Sequence, residues 1–418
     1  MALVVTKFGG SSVGSTERIM NVARRLVARK EAGDSIVAVL SAMGDVTDEL
    51  VSLAAAISDN PPEREMDMLL ATGEQVSIAL LAMAIHSFGH DAVSFTGAQV
   101  GIVTDPTHTK AKITEVRADR VREALAQGKI VIVAGFQGMT PDGTITTLGR
   151  GGSDTTAVAV AAGVDADVCE IFTDVDGVYS ADPRICPTAR KIDVISYDEM
   201  LEMAASGAGV LQLRSVEFAR SHGVVIHCRS SFNDRLGTIV KEADETMEQA
   251  IISGVTHDTS EAKITIRDVP DQPGVAADVF TRMAEANVNV DMIIQNVSED
   301  GTTDISFTSP KTDLPRARPA VEAVVRDLGA RGFSIDESIA KVSLVGAGMK
   351  THPGVAAQMF RCLAEADVNI DMISTSSIRI SCVVEGDKVE LAVRALHTSF
   401  GLDSDAVIAE VAPGWGEE

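Results

Sequence analysis

The sequence predicts an α/β protein in which a mostly parallel sheet lies between two layers of helices and is followed by two smaller α/β units. The first observation is a series of nearly uninterrupted apolar runs, at residues 2–5, 35–41 and 130–136, which are typical of strands covered on both faces. The second is that stretches with helical spacing alternate with these runs, an order that indicates a parallel sheet between helices. The third is an internal repeat in the second half of the chain.

Composition limits the classes of function. The chain has 418 residues and a formal net charge of −24, which argues against nucleic acid or an anionic membrane as a partner. No signal-peptide layout is visible, and no apolar run approaches the roughly 20 residues of a membrane span. We therefore expect no membrane segment. The five cysteines show no metal-ligand spacing, so we expect free thiols in a reducing cytoplasm and no metal site.

The N-terminal strand leads directly into paired glycines. Lys7 precedes Gly9 and Gly10, and helical spacing begins near Thr16. A strand, a glycine turn and a helix in this order direct free backbone N–H groups and the positive end of a helix at one point, which suits a phosphate. Paired glycines more often only connect two elements, so this motif alone makes phosphate binding a candidate function.

Polar residues follow the second apolar run, at Ser41, Asp45, Thr47 and Glu49. The carboxyl ends of parallel strands are where open α/β sheets bind ligands, although the same residues also suit an ordinary helix start. Further on, Glu74 stands beside small residues in a long helical pattern. Its carboxylate is a candidate partner for a substrate ammonium, while a solvent-facing glutamate is the commoner interpretation.

Two later segments concentrate polar residues. In residues 146–156 Arg150 is enclosed by glycines ahead of a helix of small residues, and its guanidinium suits a carboxylate. A purely structural turn needs no arginine there, so ligand contact is favoured. Residues 173–184 form a loop with three aspartates, a tyrosine and an arginine. Its spacing does not match an EF-hand, and such loops are usually simple turns.

The internal repeat relates residues 271–293 to residues 351–373 with an offset of 80 and 14 of 23 positions identical. Each unit is predicted to run strand, helix, strand, strand, helix, strand, and the duplication predicts two similar modules packed together. A Pro-Gly turn at a helix start can receive an amino-acid carboxylate; a pure dimerisation module is the alternative. The acidic stretch before the repeat predicts a domain boundary near residues 235–260.

The chain contains, in this order, the segments KFGGSSVGS, SAMGDVTDEL, SFTGAQVGI, VAGFQG, TTLGRGGSDTTA, CEIFTDVDGVYSADPR and HCRSSF, followed by two ACT-type repeats. Together they resemble the aspartate kinase family over essentially the whole chain. The resemblance is to the monofunctional actinobacterial type. It implies a three-layer amino-acid-kinase catalytic domain over residues 1–245, a linker over 246–262, and two βαββαβ (ferredoxin-like) ACT domains over 263–340 and 341–418.

The implied reaction transfers the γ-phosphoryl group of ATP, bound with Mg²⁺, to the β-carboxylate of L-aspartate and gives 4-phospho-L-aspartate. This would be the first step toward lysine, threonine, methionine and diaminopimelate. The acceptor carboxylate is already ionised at neutral pH, so the enzyme needs no general base. It has to position two anions and neutralise the charge that spreads over the phosphoryl group.

The resemblance also implies roles for individual residues. Lys7 and Asp182 are the expected catalytic residues. The expected nucleotide-binding residues are Lys7, Phe8, Gly9, Gly10, Ser11, Ser41, Ser153, Thr173, Asp174, Tyr179, Asp182 and Arg184. The expected aspartate-binding residues are Asp45, Thr47, Glu49, Glu74, Arg150, Gly151, Gly152 and Ser153. The expected effector-binding residues are Asp271, Gly274, Ala276, Asn289, Val290, Asp291, Gln295, His352, Pro353, Gly354, Val355, Asn369 and Ile370.

Three positions depart from the family pattern. Gly209 stands where members usually carry a second phosphate-binding lysine, Gln75 replaces an arginine, and Ser377 replaces a glutamate. Two interpretations follow: an active kinase with altered feedback, or a catalytically weakened paralogue that senses amino acids. A kinase for glutamate or N-acetylglutamate is a third, and the ACT repeats and the Glu74–Arg150 set argue against it.

The resemblance further implies lysine or threonine as effectors and a homo-oligomer formed through the ACT domains. Some family members also make a separate regulatory chain from an internal start. Met247 opens the segment before the repeats, so it is a candidate for such a start.

Overall fold

A computed structural model of the protein describes residues 2–243, 252–296, 301–352 and 354–403. The predicted internal start at Met247 and the predicted effector residue Pro353 lie outside these ranges. In chain order, the first part consists of β1 (Leu3–Phe8), α1 (Gly10–Val13), α2 (Thr16–Glu31), β2 (Ser35–Leu40), α3 (Val46–Ile57), α4 (Glu63–Ser87), β3 (Ala92–Phe95), α5 (Gly97–Val100), β4 (Ile102–Thr104), β5 (Ile113–Val116), α6 (Asp119–Ala126), β6 (Ile130–Ala134), β7 (Gln137–Met139), β8 (Ile145–Thr147), α7 (Gly152–Gly163), β9 (Val168–Thr173), β10 (Val194–Ser196), α8 (Tyr197–Ala205), α9 (Leu213–His222), β11 (Ile226–Ser230) and β12 (Thr238–Lys241).

The second part consists of β13 (Gly254–Asp258), β14 (Glu261–Pro270), α10 (Val275–Glu285), β15 (Ile293–Gln295), β16 (Thr302–Pro310), α11 (Leu314–Leu328), β17 (Gly332–Asp336), β18 (Ile339–Val345), α12 (Val355–Glu365), β19 (Met372–Thr375), β20 (Arg379–Glu385) and α13 (Val389–Ser399). The first repeat has the predicted order of elements, with β14, α10, β15, β16, α11 and β17, and the described part of the second repeat follows the same order from β18 to α13.

The first part is built on an eight-stranded sheet with the order β10-β12-β11-β9-β1-β2-β6-β3. All neighbouring strands are parallel except β11 and β12. Its central apolar strands are fully buried, as in Val4, Val37 and Ile132, because helices pack on both faces. The predicted α/β class with a mostly parallel central sheet is therefore confirmed.

Helix α4 is long and apolar enough to cross a membrane by length and composition, although the sequence analysis expected no such segment. Its residues Leu81 and Ile85 are fully buried in the core beside the central sheet. Those contacts are typical of the core helix of a folded domain.

The two repeat units form two four-stranded sheets, β15-β16-β14-β17 and β19-β20-β18-β13. In the first unit the last strand, β17, comes from the end of the same repeat. In the second unit the equivalent position is held by β13, whose residues pair antiparallel with β18 from Gly254↔Val345 to Asp258↔Lys341. Residues 254–258 had been predicted as linker, and this pairing corrects that prediction. The second unit thus begins before the first unit in the chain.

A buried ion cluster joins the two units. The Lys341 ammonium, on a residue 1% exposed, lies 2.9 Å from the Glu261 carboxylate and 2.7 Å from that of Asp291. On the other side Lys263 pairs with Asp371 at 2.6 Å. In both ion pairs an aspartate of one unit reaches a lysine of the other, so the units are packed by approximate two-fold symmetry.

Candidate active site

Two cavities open at the carboxyl edge of the central sheet. Strands β1, β2, β6 and β9 are parallel neighbours, so the segments that follow them meet at this edge. We call the first the Glu74 cavity; it has a volume of about 320 Å³ and is lined by segments that follow β1, β2 and β6 and by the start of α7. We call the second the Tyr179 cavity; it has a volume of about 420 Å³ and is lined mainly by the loop after β9 and residues 207–210.

Glu74 is the most unusual group in the first cavity. Its side chain comes from the middle of α4 and is 3% exposed. The backbone N–H of Ala42 donates a hydrogen bond of 3.2 Å to Oε1, while Oε2 is buried without a partner among the described residues. Burial raises the pKa of this carboxyl from 4.5 to about 7. A buried carboxylate with a free oxygen needs a cation to compensate it, so this position suits an ammonium group.

Lys7 lies in the same cavity. Its ammonium is 2.6 Å from Oδ1 of Asp154, and both side chains are largely buried. Asp154 belongs to the first turn of α7, whose N-terminus borders the cavity. The lysine charge and the free N–H groups of this helix both favour an anion here. Asp154 is not among the predicted site residues, although it belongs to the Arg150 motif and is identifiable from sequence as the acid nearest to that helix start.

Arg150 reaches the rim of the cavity from a turn that requires glycine. At Gly151 the backbone has φ +72°, and a Cβ there would lie 2.2 Å from Cγ of Gln212. Arg150 is exposed and forms no ion pair with any residue in the described ranges. The free guanidinium can bind the carboxylate of a free amino acid, and the buried carboxylate in the same cavity can bind its ammonium group.

The walls of the Tyr179 cavity are mostly apolar, with a charged pair at one side. The Arg184 guanidinium lies 2.6 Å from the Asp182 carboxylate, and the Arg184 backbone N–H donates to Oδ1 at 2.9 Å. Burial raises the pKa of Asp182, but the Arg184 hydrogen bonds outweigh it and hold the pKa below its ordinary value. Burial also raises the pKa of Tyr179. An apolar slot with a few polar groups is typical of a site for a nucleoside.

Gly209 also lines the Tyr179 cavity, and a Cβ built on it would have no atom within 4 Å. Among the residues that the structure describes, the position where the family usually has a lysine is therefore surrounded by open space. Beside it, Val255, Thr256 and His257 of β13 line the same cavity. These three residues lie in the range predicted as a linker, so no sequence signal indicated their place in the cavity.

The structure brings most of the predicted site residues together in these two groups. Lining the Glu74 cavity are Lys7, Gly10, Ser41, Thr47, Glu74, Arg150, Gly151, Gly152 and Ser153. Lining the Tyr179 cavity are Thr173, Asp174, Tyr179, Asp182 and Arg184. Ser41, predicted beside the nucleotide, thus lines the cavity that contains Glu74.

Other predicted residues line neither cavity: Phe8, Gly9, Ser11, Asp45 and Glu49. The Phe8 side chain is buried and stacks on Phe172 with ring centroids 4.7 Å apart, so its side chain belongs to the core. Asp45 and Glu49 are exposed at the start of α3. Their predicted contacts with aspartate stay predictions.

Three pairs of the predicted effector residues occupy equivalent positions in the two repeats, namely Gly274 and Gly354, Asn289 and Asn369, and Val290 and Ile370. Gly274 and Gly354 precede the equivalent helices α10 and α12, both with positive φ. Asp291 is one partner of buried Lys341, and the Asn289 N–H is bonded to the Asp313 carboxylate at 3.0 Å. Ser376, next to the departure at Ser377, donates to Glu202 of α8 at 2.9 Å. This contact connects the second repeat to the first part of the chain.

Comparison with known proteins agrees with this architecture. The model of the amino acid kinase family matches residues 2–230, and ACT domain models match residues 264–329 and 342–400. The fold and the two cavities therefore define an amino acid kinase that carries paired ACT domains.

The relatives narrow the class. An aspartokinase of Mycolicibacterium smegmatis is 57% identical over 415 residues, which cover 98% of this chain and 99% of the relative. The crystal structure of E. coli aspartokinase III in complex with aspartate and ADP superposes with a TM-score of 0.81 at 26% identity, covering 95% of this chain and 99% of that one. The same enzyme in complex with lysine and aspartate gives a TM-score of 0.74 at 26% identity, covering 96% and 99%. The chain belongs to the aspartokinase family.

Proposed function

We propose that the chain is an active aspartate kinase, which transfers the γ-phosphoryl group of ATP to the β-carboxylate of L-aspartate. The observation that carries this proposal is the buried Glu74 carboxylate with its unpaired oxygen, in one cavity with Lys7 and Arg150. The likeness to a solved aspartokinase bound to aspartate and ADP supports it. The full-length likeness to a named aspartokinase favours this reading over that of a weakened amino-acid sensor.

In this proposal Glu74 binds the α-ammonium of aspartate and Arg150 binds its α-carboxylate. The β-carboxylate then faces Lys7 and the start of α7, where it attacks the γ-phosphorus while the bond to the ADP oxygen breaks. No proton has to be removed, because the attacking oxygen is already an anion. Lys7 and the helix N–H groups neutralise the charge on the phosphoryl oxygens, and Asp154 holds the lysine in position.

The nucleotide is proposed to bind in the Tyr179 cavity, with its base against the apolar wall. Its phosphates would extend past Thr173 and Asp174 toward Lys7, because β9 and β1 are neighbours and Ile171 pairs with Lys7. Residues in the described ranges contain no group of three acids, histidines or cysteines that would hold a metal by itself. Mg²⁺ bound to ATP needs only one or two carboxylates, and Asp154 and Asp174 fit that need. The ion would supply further neutralisation of the phosphate charge.

The direct test is ADP release by the purified full-length chain in the presence of MgATP and L-aspartate. We expect turnover with aspartate and none above the ATP-only rate with N-acetylglutamate, because Glu74 offers a partner for a free ammonium group, which N-acetylglutamate lacks. A rate with aspartate equal to the ATP-only blank would overturn the proposal. Faster turnover with N-acetylglutamate would assign the chain to another acid kinase of the same fold.

The glycine at position 209 gives a second test. We expect Gly209→Lys to raise kcat, by roughly ten- to a thousandfold, because a cation returns to a site of phosphoryl transfer and open space surrounds this position. Gly209→Met is the matched control, since it adds a side chain of similar length without charge. If the lysine variant is no faster than the methionine variant, the cation is supplied by another group.

We further propose that lysine or threonine binds to the ACT pair and lowers activity, and that copies of the chain associate through these units. The E. coli enzyme crystallised with lysine and aspartate supports the first point. Calorimetry with each amino acid measures binding, and sedimentation velocity measures the assembly. A separate chain starting near Met247 stays a prediction; mass spectrometry of the expressed protein, with Met247→Leu as a control, would detect it.

A further inference from the structure

The Tyr179 cavity is completed by the regulatory part of the chain. Val255, Thr256 and His257, which line it, belong to β13, the edge strand of the sheet of the second ACT unit. The cavity therefore has walls from two domains. The matched ACT model, which starts at residue 342, does not include this strand, and the family resemblance assigned no role to it.

Strand β13 is fixed tightly against the kinase domain. The Val255 N–H donates a hydrogen bond of 2.7 Å to the Ser180 carbonyl oxygen. At Gly207, where φ is +106°, a Cβ would lie 1.9 Å from the His257 carbonyl oxygen. The backbone at Gly207 thus packs directly against the strand, and this part of the cavity wall is an interface between the two domains.

Thr256 and His257 are the two polar side chains of the strand that line the cavity. Thr256 is 5% exposed, and its hydroxyl is buried without a hydrogen-bond partner among the described residues. His257 is half-buried and close enough to Asp182 for their charges to interact. A buried hydroxyl without a partner is costly unless a ligand or water completes it.

The position of these groups indicates which part of a nucleotide they face. The loop after β9 begins beside Lys7 of β1, which is the phosphate side of the proposed site. Further along the loop, Ala181 packs in the core of the second ACT unit and Asp182 interacts with His257, so His257 lies on the side of the cavity next to that unit. The walls between are apolar, which suits a base. A hydroxyl can donate and accept, and an imidazole can do either according to its tautomer, so both can bond to the ring nitrogens and amino group of a purine.

We propose that Thr256 and His257 of β13 recognise the purine base of the nucleotide substrate, so that the regulatory sheet supplies part of the nucleotide specificity. This inference rests on the proposed function of the Tyr179 cavity. It also has a consequence for regulation: because β13 pairs with β18, a change in that sheet alters the nucleotide site directly, and nucleotide binding alters the sheet in return.

The test compares Thr256→Val and His257→Ala with Thr259→Val, an exposed threonine next to the strand. Loss of one hydrogen bond to the base should raise the KM for ATP and the Kd for ADP about three- to tenfold in the first two variants. The KM for aspartate and kcat should change less than twofold, and preference for ATP over GTP should fall by a similar factor. The control should match the wild type.

Hydrogen exchange and calorimetry make the outcome independent of turnover. ADP should slow amide exchange in residues 254–258 of the wild type. Unchanged ADP affinity in both variants would overturn the inference. A loss of affinity shared equally by ATP, GTP and aspartate would also overturn it, because such a loss indicates that the strand has only a structural role. If the wild type binds ADP but shows no aspartate-dependent turnover, the proposed function fails while this inference stands. If the wild type does not bind ADP, both fail.

Discussion

The two cavities differ in which parts of the chain build them. All described residues that line the Glu74 cavity belong to the kinase domain, with the buried carboxylate held by α4 and the cation by β1. The Tyr179 cavity combines a loop of the kinase domain with a strand of the second ACT unit. If each binds the ligand that we propose, aspartate binding depends on one domain, and nucleotide binding depends on how two domains meet.

This difference has a physical basis. A buried carboxylate such as Glu74 needs a rigid, dry surrounding that keeps its unpaired oxygen available, and one packed core supplies that. The apolar slot of the second cavity has no such requirement, so its far wall can come from a separate unit. Substitutions at the domain junction should therefore change the KM for ATP, while substitutions within the core should change the KM for aspartate.

The largest expected effect is at Glu74. Glu74→Gln keeps the size of the side chain but removes the charge that pairs with the substrate ammonium. We expect kcat/KM for aspartate to fall by a factor of about 100 to 4,000, since breaking a buried ion pair costs roughly 3–5 kcal/mol, while the KM for ATP stays within about threefold. Steady-state kinetics measures both constants. Glu63→Gln, at an exposed position of the same helix, is the control, and an equal loss for ATP would contradict the division between the cavities.

At the domain junction the sharpest change is Gly207→Ala. The new methyl group would clash with the His257 carbonyl, and the positive φ adds strain. We expect the KM for ATP to rise on the order of tenfold or more and the melting temperature to fall, because β13 has to move away from the kinase domain. Gly209→Ala is a matched control, since its Cβ would meet open space. A selective rise in the KM for aspartate would show that the two cavities are not separable in this way.

The pH dependence of aspartate binding gives a moderate effect. Burial raises the pKa of Glu74 to about 7, so lowering the pH from 8 to 6 protonates it in the free enzyme and removes the partner of the ammonium. The KM for aspartate should rise about tenfold over that range, and the KM for ATP should not follow it. In Glu74→Gln this rise should be absent; a rise that persists would assign it to another group.

The same shift predicts the sign of a stability change. The folded-state pKa of Glu74 lies above its unfolded value of about 4.5. The folded protein therefore binds the proton more tightly, and the contribution of Glu74 to stability is lost as the pH rises from 4.5 through 7. The free energy of unfolding of Glu74→Gln minus that of the wild type should therefore be larger at pH 8 than at pH 5, by up to about 3 kcal/mol. Chemical denaturation at the two pH values measures this, and an equal difference at both would contradict it.

Much of this could be predicted from the sequence because the responsible signals are local. Apolar runs and glycine turns predicted the central sheet, and the enclosed Arg150 predicted a ligand-binding turn. The role of β13 was not predictable in this way. Its five residues differ little in sequence from a linker, and they form a strand only by pairing with β18, about 85 positions later. The unpaired oxygen of Glu74 likewise depends on burial by distant residues, so the sequence left a solvent-facing side chain as the commoner interpretation.

The smallest expected effect concerns a single hydrogen bond across the domain junction. The Ser180 hydroxyl lies 2.9 Å from Nε2 of His397 in the second ACT unit and also accepts from the Arg190 N–H at 3.0 Å. Ser180→Ala should leave both groups with one partner fewer and cost about 1 kcal/mol. The Ser180 carbonyl, which the variant keeps, accepts the bond from Val255 of β13. Because loss of the two side-chain bonds loosens the same segment, we expect the KM for ATP to rise two- to threefold and the KM for aspartate to stay unchanged. Ser221→Ala, at an exposed site, is the control, and equal KM values for ATP in the two variants would show that this contact does not transmit to the nucleotide cavity.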